Sequence, residues 1–205
     1  MELIVLETAG MELADISPYF AFVTKERQAV VLRKKSPEDK LLTLASELLV
    51  LSELSRRTGI PVKRIRFVRG AHGKPYVKGG GVEFSLSHTK GAVCVAFSEN
   101  DEIGVDIERA DRKVREGLFE RTLCDEERSV VHTSEEFIGV WVKKEAFLKR
   151  LGIGISKGLK SVNTLILPET CSQKFGEYIV GVSGEDADNV QITTLSVKEL
   201  LARFD

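Results

Sequence analysis

The chain has 205 residues, 42% of them hydrophobic and 30% charged, a composition that is typical of a globular protein and excludes a mostly disordered one. Its 30 Lys and Arg residues balance 31 Asp and Glu residues, and the formal net charge of -1 gives no support to a nucleic-acid or membrane-surface binder. No apolar run approaches the roughly 18 residues that a membrane span requires, and the N-terminus lacks the basic segment of a secretory signal. Three widely spaced cysteines favour a reducing compartment, so we expect a cytoplasmic protein.

The predicted elements begin with a strand at the N-terminus, within residues 1–7. Ser36 followed by Pro37 is typical of a helix start, and leucines at helical spacing predict a helix over 37–57. Alternating or continuous apolar runs then predict short strands, separated by turn-rich stretches, at 65–68, 82–87, 92–97 and 103–108.

The second part of the chain mixes helices and strands. The charged segment 111–133 predicts loops and short helices, and a strong helix follows over 135–151, ended by Gly152. Further strands are predicted at 161–167, 175–182 and 190–195, with a short helix after Ser196. Because strands and helices do not alternate regularly, the pattern favours an α+β fold with antiparallel pairing.

Apolar and acidic residues alternate along the predicted strand at 103–108. Because successive side chains of a strand point to opposite faces, Asp106 and Glu108 share one face while their apolar neighbours face the core. Two hard oxygen ligands with no Cys or His nearby suit Mg²⁺ or Mn²⁺ rather than zinc. A half-solvated strand with a polar outer face explains the same pattern, and taken alone the pattern favours that explanation.

One lysine interrupts the apolar stripe of the predicted helix over 135–151. Lys144 falls in the middle of the stripe, with Glu145 at its edge and Lys149 further along. A charge on the buried face is costly unless it meets a counter-charge or extends to solvent, and an anionic ligand would supply that counter-charge. Alternatively, Lys144 extends to solvent while Glu145 and Lys149 form an ordinary ion pair one turn apart.

Three weaker features also suit a phosphate-bearing ligand. One strand end carries Ser87 and His88, which can donate hydrogen bonds to phosphate oxygens. The segment 73–75 offers a tight turn with exposed backbone and a cation, and a lysine pair at 34–35 precedes the long helix. Each feature alone is more typical of a surface turn or a solvated charge.

Together these motifs resemble the 4′-phosphopantetheinyl transferases of the Sfp (surfactin-activating) type. That family carries a G-V-D-x-E strand, here residues 104–108, followed by a W-x-x-K-E-A-x-x-K helix, here residues 141–149. Residues 73–75 and 84–88 are similar to the family's first two motifs and stand in the same order. The resemblance spans roughly residues 30–160, and four ordered motifs make it specific.

The resemblance implies an α+β fold of two similar halves related by a pseudo-twofold axis. Each half would be an antiparallel sheet packed with a long helix, and a ligand cleft would lie between the halves. We therefore divide the chain into an N-terminal half, 1–101, and a C-terminal half that carries the metal and catalytic motifs, 102–205.

The implied activity is the Mg²⁺-dependent transfer of the 4′-phosphopantetheine arm of coenzyme A to a serine of an apo acyl or peptidyl carrier protein. The reaction releases adenosine 3′,5′-bisphosphate. We expect a monomer with no nucleic-acid or membrane partner. A Mg²⁺-dependent hydrolase of nucleotide pyrophosphates and a non-catalytic protein that binds coenzyme A or the carrier are the alternatives.

The resemblance also assigns roles to residues. Asp106, Glu108 and Glu145 would bind Mg²⁺, or Mn²⁺, against the pyrophosphate. Glu145 would deprotonate the serine hydroxyl, directly or through water, and the candidate catalytic residues are Glu145, Lys149 and Asp106. The candidate coenzyme A contacts are Lys74 and Pro75 beside the adenine, His88 near the 3′-phosphate, Lys144 and Lys149 near the phosphates, and Ser87, Lys34 and Lys40.

Two regions depart from the family pattern or lack a motif. Members of the family usually place an arginine that binds the 3′-phosphate early in the long N-terminal helix, where this chain has Leu42. We expect Lys40 or the Lys34/Lys35 pair to compensate, and we hypothesise a relaxed preference for coenzyme A over its 3′-dephospho form. Within 111–133, apolar residues ringed by cations suit an acidic carrier helix, although a connector that packs them into its own core explains them equally well.

Overall fold

The computed structural model describes residues 1–70, 72–99, 101–154 and 158–204. The strands of the described residues are β1 (Glu2–Glu7), β2 (Phe67–Arg69), β3 (Pro75–Val77), β4 (Glu83–Thr89), β5 (Ala92–Ser98), β6 (Gly104–Arg109), β7 (Thr170–Phe175), β8 (Tyr178–Ser183) and β9 (Gln191–Leu195). The α-helices of these residues are α1 (Leu13–Ile16), α2 (Lys25–Leu32), α3 (Pro37–Thr58), α4 (Glu116–Thr122), α5 (Asp125–Arg128), α6 (Ser134–Leu151) and α7 (Val197–Leu201). The α+β class is therefore confirmed.

The strands form two larger sheets and a small ribbon. The first sheet has the order β4-β5-β1-β9, with β1 antiparallel to β5 and parallel to β9. The second sheet is antiparallel with the order β6-β8-β7, and β2 and β3 form the ribbon. The same order of elements occurs twice along the chain: a strand, a long helix, and then a hairpin whose second strand pairs with the first strand. In the first sheet these elements are β1, α3, β4 and β5, and in the second they are β6, α6, β7 and β8.

Helix α3 begins and ends on local signals that the sequence carries. The Ser36 hydroxyl accepts a hydrogen bond from the Asp39 N–H at 2.9 Å, Pro37 occupies the first turn, and Gly59 ends the helix in the left-handed region at φ +69°. The leucines of its apolar face, among them Leu44, Leu48 and Leu54, are fully buried against the first sheet. The helix predicted over 37–57 is confirmed.

Helix α6 lies unusually close to the second sheet because two strand residues lack side chains. A Cβ atom at Gly104 would lie 1.8 Å from the carbonyl oxygen of Ala146, and one at Gly181 would lie 2.3 Å from that of Val142. Only glycine permits this approach of backbone to backbone. The glycine that opens the G-V-D-x-E motif therefore brings α6 against β6.

The two sheets meet along strands β4 and β6, and we call this line of contacts the seam. Three hydroxyl side chains at alternate positions of β4 each contact β6 in the same order along both strands, so the two strands run side by side in the same direction. The contacts are Ser85 Oγ accepting from the Val105 N–H at 3.0 Å, Ser87 donating to Asp106 at 2.6 Å, and Thr89 donating to Glu108 at 2.5 Å.

Of the strands predicted in the C-terminal part, one is wrong and another begins too early. Residues 161–167 contain the end of a 3₁₀ turn (Leu159–Ser161) and further turns rather than a strand. The strand predicted over 175–182 is confirmed as β8 over residues 178–182, but its predicted start lies before the tight turn at Gly176, which joins β7 to β8. Strand β7 escaped prediction because it is an edge strand whose middle residues are exposed and polar.

The chain returns to the first sheet at its C-terminal end. Strand β9 pairs with β1, and Leu200 of α7 is buried in the core that α3 forms. A division of the chain near residue 101 does not anticipate this return. No helix among the described residues has both the length and the apolar character needed to cross a bilayer.

Replacing Gly181 with alanine is expected to lower the free energy of unfolding by about 2 kcal/mol or more. The new methyl group would overlap the Val142 carbonyl, so α6 would have to move away from the sheet. Gly139→Ala is the matched control on α6, since a Cβ there meets Ser172 Oγ at an ordinary 3.6 Å. We expect that variant to gain up to about 1 kcal/mol from helix propensity. Urea denaturation measures both, and equal stability of the two variants would contradict the close approach.

Candidate active site

Asp106 is a buried carboxylate in the middle of the seam. It is 6% exposed, and its Oδ1 atom accepts hydrogen bonds from the Ser87 hydroxyl at 2.6 Å and from Lys149 Nζ at 2.7 Å. Lys149 also donates to the Val105 carbonyl at 3.1 Å. The carboxylate thus joins strand β4, strand β6 and helix α6 at one point.

Glu145 is buried on α6 without a partner for one of its oxygens. The side chain is 4% exposed, and Oε1 has no hydrogen-bond partner among the described residues. Burial, and after it the nearby charge of Asp106, raises the pKa of Glu145 from 4.5 to about 7, against the opposite influence of Lys149. The two carboxylates predicted to act together therefore lie within electrostatic reach of each other.

Glu108 faces a different set of partners. Its Oε1 atom accepts from Thr89 at 2.5 Å and from the Arg109 N–H at 2.9 Å, and its Oε2 atom pairs with Arg112. Within the described ranges, no group of three or more His, Cys, Asp or Glu side chains is gathered closely enough to hold a metal ion. The structure thus brings Asp106 and Glu145 together and directs Glu108 toward Arg112.

The donor set nevertheless fits a hard divalent cation. An unpaired carboxylate oxygen buried beside a second carboxylate carries a desolvation cost that a cation offsets, and oxygen ligands are those that Mg²⁺ prefers. Glu108 follows Asp106 by two residues on the same strand, and its contacts with Thr89, the Arg109 N–H and Arg112 hold it apart from this set.

Lys74, Pro75 and Lys149 line a cavity of about 970 Å³, which we call the near cavity. It extends under the ribbon of β2 and β3 and includes Ser85 at the first end of the seam. Lys74 Nζ donates to the carbonyls of Ile103 at 3.2 Å and Arg150 at 3.0 Å, and burial lowers its pKa. A further set of cations lines the same cavity: Arg27, Lys63, Arg66 and Arg69.

His88 lies on the other face of β4, near the start of α3. Its side chain is exposed, and its pKa is lowered first by partial loss of solvent and then by Lys149 and Lys34. The structure thus brings His88 within electrostatic reach of two of the predicted cations. Lys40 is half-buried on α3, while Leu42 is 5% exposed within the apolar core.

The expectation that Lys144 faces an anionic ligand or extends to solvent is wrong. Its side chain is fully buried, and its Nζ atom lies 2.5 Å from Glu127 Oε2 and donates to the carbonyls of Thr122 at 2.7 Å and Leu159 at 2.9 Å. The counter-charge is internal and comes from α5. Glu127 in turn accepts two hydrogen bonds from Thr164, each of 2.8 Å.

Sequence reasoning missed Glu127 because nothing local distinguishes it from the other acidic residues of the charged segment 111–133. Several apolar residues of the same segment pack against the protein, with Leu118 and Phe119 partly buried and Val130 exposed. Leu123 is fully buried, and the Phe119 ring lies 4.6 Å from that of Phe137. The interpretation of these residues as part of a connector that packs against the protein fits the structure better than their interpretation as a docking patch for the carrier.

Comparison with known proteins supports the family read from the motifs. Residues 12–100 match a model described as the N-terminal region of 4′-phosphopantetheinyl transferase, and residues 102–189 match one described as the 4′-phosphopantetheinyl transferase superfamily. The chain therefore belongs to the 4′-phosphopantetheinyl transferase superfamily.

Several curated proteins are similar to this chain. It is 33% identical to the 4′-phosphopantetheinyl transferase ffp of Bacillus subtilis over 69% of this chain and 65% of that protein. The 4′-phosphopantetheinyl transferase Sfp of Bacillus subtilis strain 168 is 28% identical over 70% of this chain and 66% of its own length. The L-aminoadipate-semialdehyde dehydrogenase-phosphopantetheinyl transferase of Candida glabrata is 28% identical over 67% of this chain and 58% of its own length. The chain thus spans about two thirds or less of these relatives.

Glu145→Gln is expected to stabilise the metal-free protein at high pH. Since the folded pKa is about 7 and the ordinary value 4.5, the unfolded chain loses the proton first, and stability falls as the pH rises between those values. The amide does not titrate, so the free energy of unfolding of the variant should exceed that of the parent by up to about 3 kcal/mol at pH 8 and equal it near pH 4. Denaturation in the presence of a chelator measures this difference, and a gap that does not change with pH would contradict the raised pKa.

Lys144→Met, which fits an apolar stripe, is expected to destabilise the protein by about 3–5 kcal/mol because it leaves the Glu127 carboxylate buried and unpaired. Adding Glu127→Gln to that variant should recover part of the loss, since a neutral amide is less costly to bury. Lys174→Met, which breaks an exposed pair with Glu135, is the control and should change stability by less than about 1 kcal/mol. If Lys144→Met proved as mild as Lys174→Met in denaturant titrations, the buried pair would not be as described.

Proposed function

We propose that this protein transfers the 4′-phosphopantetheine arm of coenzyme A to a serine of an apo acyl or peptidyl carrier protein and releases adenosine 3′,5′-bisphosphate. The observation that carries the proposal is the meeting of Asp106, Glu145 and Lys149 at the seam, beside a cation-lined cavity that includes Lys74 and Pro75. The superfamily membership and the names of the similar proteins support it.

Asp106 and Glu145, joined by Glu108 when it leaves Arg112, would hold Mg²⁺ or Mn²⁺. The ion supplies neutralisation of the charge that develops on the pyrophosphate oxygens. Lys149 adds a fixed positive charge at the same place, since its ammonium is already held by Asp106 and the Val105 carbonyl. The cations of the near cavity, with His88, Lys34 and Lys40 at the start of α3, suit the phosphates and ribose of the nucleotide.

In the transfer, the carrier serine oxygen forms a bond to the phosphorus that bears the pantetheine. The bond between that phosphorus and the bridging oxygen breaks, and the electron pair leaves with adenosine 3′,5′-bisphosphate. Glu145 is our candidate for accepting the serine proton, directly or through water, because a raised pKa near neutrality suits a general base. Positioning and charge neutralisation supply the rest of the rate enhancement.

We further propose that the repeated succession of strand, long helix and hairpin reflects a pseudo-twofold relation between halves divided near residue 101. The ligand cleft would follow the seam, where the two sheets meet. The protein would act as a cytoplasmic monomer, and its cysteines, Cys94, Cys124 and Cys171, are free thiols that suit a reducing compartment. The exposed cations Lys113, Arg115 and Arg121 beside α4 suit an acidic carrier helix.

Mass spectrometry of an apo acyl carrier protein incubated with the enzyme, coenzyme A and Mg²⁺ tests the proposal, with a gain of one phosphopantetheine expected. Asp106→Ala and Glu145→Ala should reduce turnover at least about 10³-fold, while Glu135→Ala, on an exposed position of the same helix, should leave it unchanged. Mg²⁺ should also raise the melting temperature of the parent protein and not that of Glu145→Gln.

Three other outcomes would contradict the proposal. Free phosphopantetheine with an unmodified carrier would indicate a hydrolase. Intact coenzyme A that binds without reacting would indicate a binding protein. Turnover like that of the parent in either alanine variant would mean that the reaction takes place elsewhere.

A further inference from the structure

The seam has two ends, and a cavity lies at each. Ser85 at the first end lines the near cavity. Thr89 and Glu108 occupy the other end, about 13 Å further at the usual rise of a strand, and the residues that follow them, Lys90 and Arg109, line a second cavity of about 670 Å³. We call this second cavity the far cavity, and none of the roles assigned above uses it.

The far cavity is bounded by elements of both sheets. The turn after β1, helix α1 and the start of α3 form one side, and the β4–β5 turn at Gly91 and the ring of Tyr178 form another. A Cβ atom at Gly91 would lie 2.8 Å from the Tyr178 hydroxyl, so the absence of a side chain there keeps this part of the cavity open. Elements of both sheets thus bound the space, with buried Thr8, Leu41 and Tyr178 in its wall.

One buried polar atom in the wall of the far cavity has no partner. Thr8 is 3% exposed, and its Oγ1 atom lacks a hydrogen bond among the described residues, although its N–H donates to the Gly91 carbonyl at 2.8 Å. A buried hydroxyl without a partner costs stability unless a ligand or water completes it. The hydroxyl is thus a hydrogen-bonding group available to an occupant.

The charges of the far cavity exclude a phosphate as that occupant. Two cations, Lys90 and Arg109, face three acidic residues, Glu12, Glu38 and Glu177, and Arg109 is already paired with Glu177 at 3.2 Å. Such a balance suits a neutral, extended ligand with amide groups better than an anion. The near cavity, with its excess of cations, suits the charged nucleotide.

We infer that the far cavity receives the pantetheine arm of the donor coenzyme A, with the Thr8 hydroxyl bonded to one of its amides. The inference rests on the proposed function, because it places the pyrophosphate at Asp106 and Glu145, between the two cavities. The nucleotide then extends from this centre into the near cavity, and the arm extends along Thr89 and Glu108 into the far one. The far cavity thereby determines which arms, and which groups on their thiol, the enzyme accepts.

Isothermal titration with Mg²⁺ tests the inference by comparing coenzyme A with adenosine 3′,5′-bisphosphate, which lacks the arm. Ala14→Trp adds a large side chain at an exposed wall position of the far cavity and should weaken coenzyme A binding about tenfold while leaving the bisphosphate unaffected. Ala21→Trp, at an exposed wall position of the near cavity, should weaken both ligands. Ala202→Trp lines neither cavity and should change neither affinity.

Thr8→Val provides a second variant that tests the hydroxyl alone. Because it removes an unpaired buried hydroxyl at nearly constant volume, it should raise the melting temperature and weaken coenzyme A binding several-fold, about three to ten, with no change for the bisphosphate. A purely structural role for Thr8 would move stability without separating the two ligands.

Unchanged coenzyme A affinity in both Ala14→Trp and Thr8→Val would overturn the inference, as would an equal loss for the two ligands. A rise in KM for the carrier alone in Ala14→Trp would assign the far cavity to the carrier and also overturn it. The titrations read binding and not transfer, so they can succeed or fail independently of the carrier assay.

Discussion

The burial of Asp106 is the constraint on which the site depends. A carboxylate removed from water must be paired, and here a hydroxyl from the first sheet and an ammonium from helix α6 pair it. These two contacts join elements that belong to different parts of the chain. The glycines at 104 and 181 make the geometry possible, because without them α6 would stand further from β6 and Lys149 would not reach the carboxylate. Gly104 and Asp106 of the motif thus both contribute to the contact between β6 and Lys149 of α6.

The features that could be predicted from the sequence are those that depend on local pattern. The two long helices followed from leucine spacing and capping residues, and the shared face of Asp106 and Glu108 followed from the period of a strand. The family motifs brought Glu145 and Lys149 to the same centre, across a separation in sequence that local pattern alone cannot bridge. Edge strand β7 was missed because its exposed residues are polar and therefore lack the apolar alternation that marks a strand.

Lys144 shows most clearly what the sequence left open. Its position in the apolar stripe of α6 raised two alternatives, a counter-charge from an anionic ligand or extension to solvent, and the structure shows a third, a buried counter-charge from within the protein. The identity of the counter-charge depends on where the charged segment 111–133 folds, and no local signal distinguishes Glu127 from its acidic neighbours. A lysine beside the proposed catalytic glutamate suggests phosphate binding by proximity in sequence, but on a helix adjacent residues point in directions about 100° apart. Lys144 therefore binds α5 while Glu145 faces the seam.

Some buried polar groups of this protein have all their hydrogen-bond partners within the protein, and others do not. The ammonium of Lys144 has three oxygen acceptors and the Glu127 carboxylate accepts from both sides, so this pair needs nothing from outside and holds the connector to α6. Among the described residues, Glu145, Thr8, Thr122 and Arg57 each keep a buried side-chain atom without a hydrogen-bond partner, and of these Glu145 and Thr8 lie at the centre or in the wall of the path proposed for coenzyme A. At Glu145 and Thr8, the binding of a ligand would offset the cost of leaving that atom unpaired. The satisfied lysine of the signature helix therefore maintains structure, and the unsatisfied glutamate next to it is the residue that we propose for ligand binding.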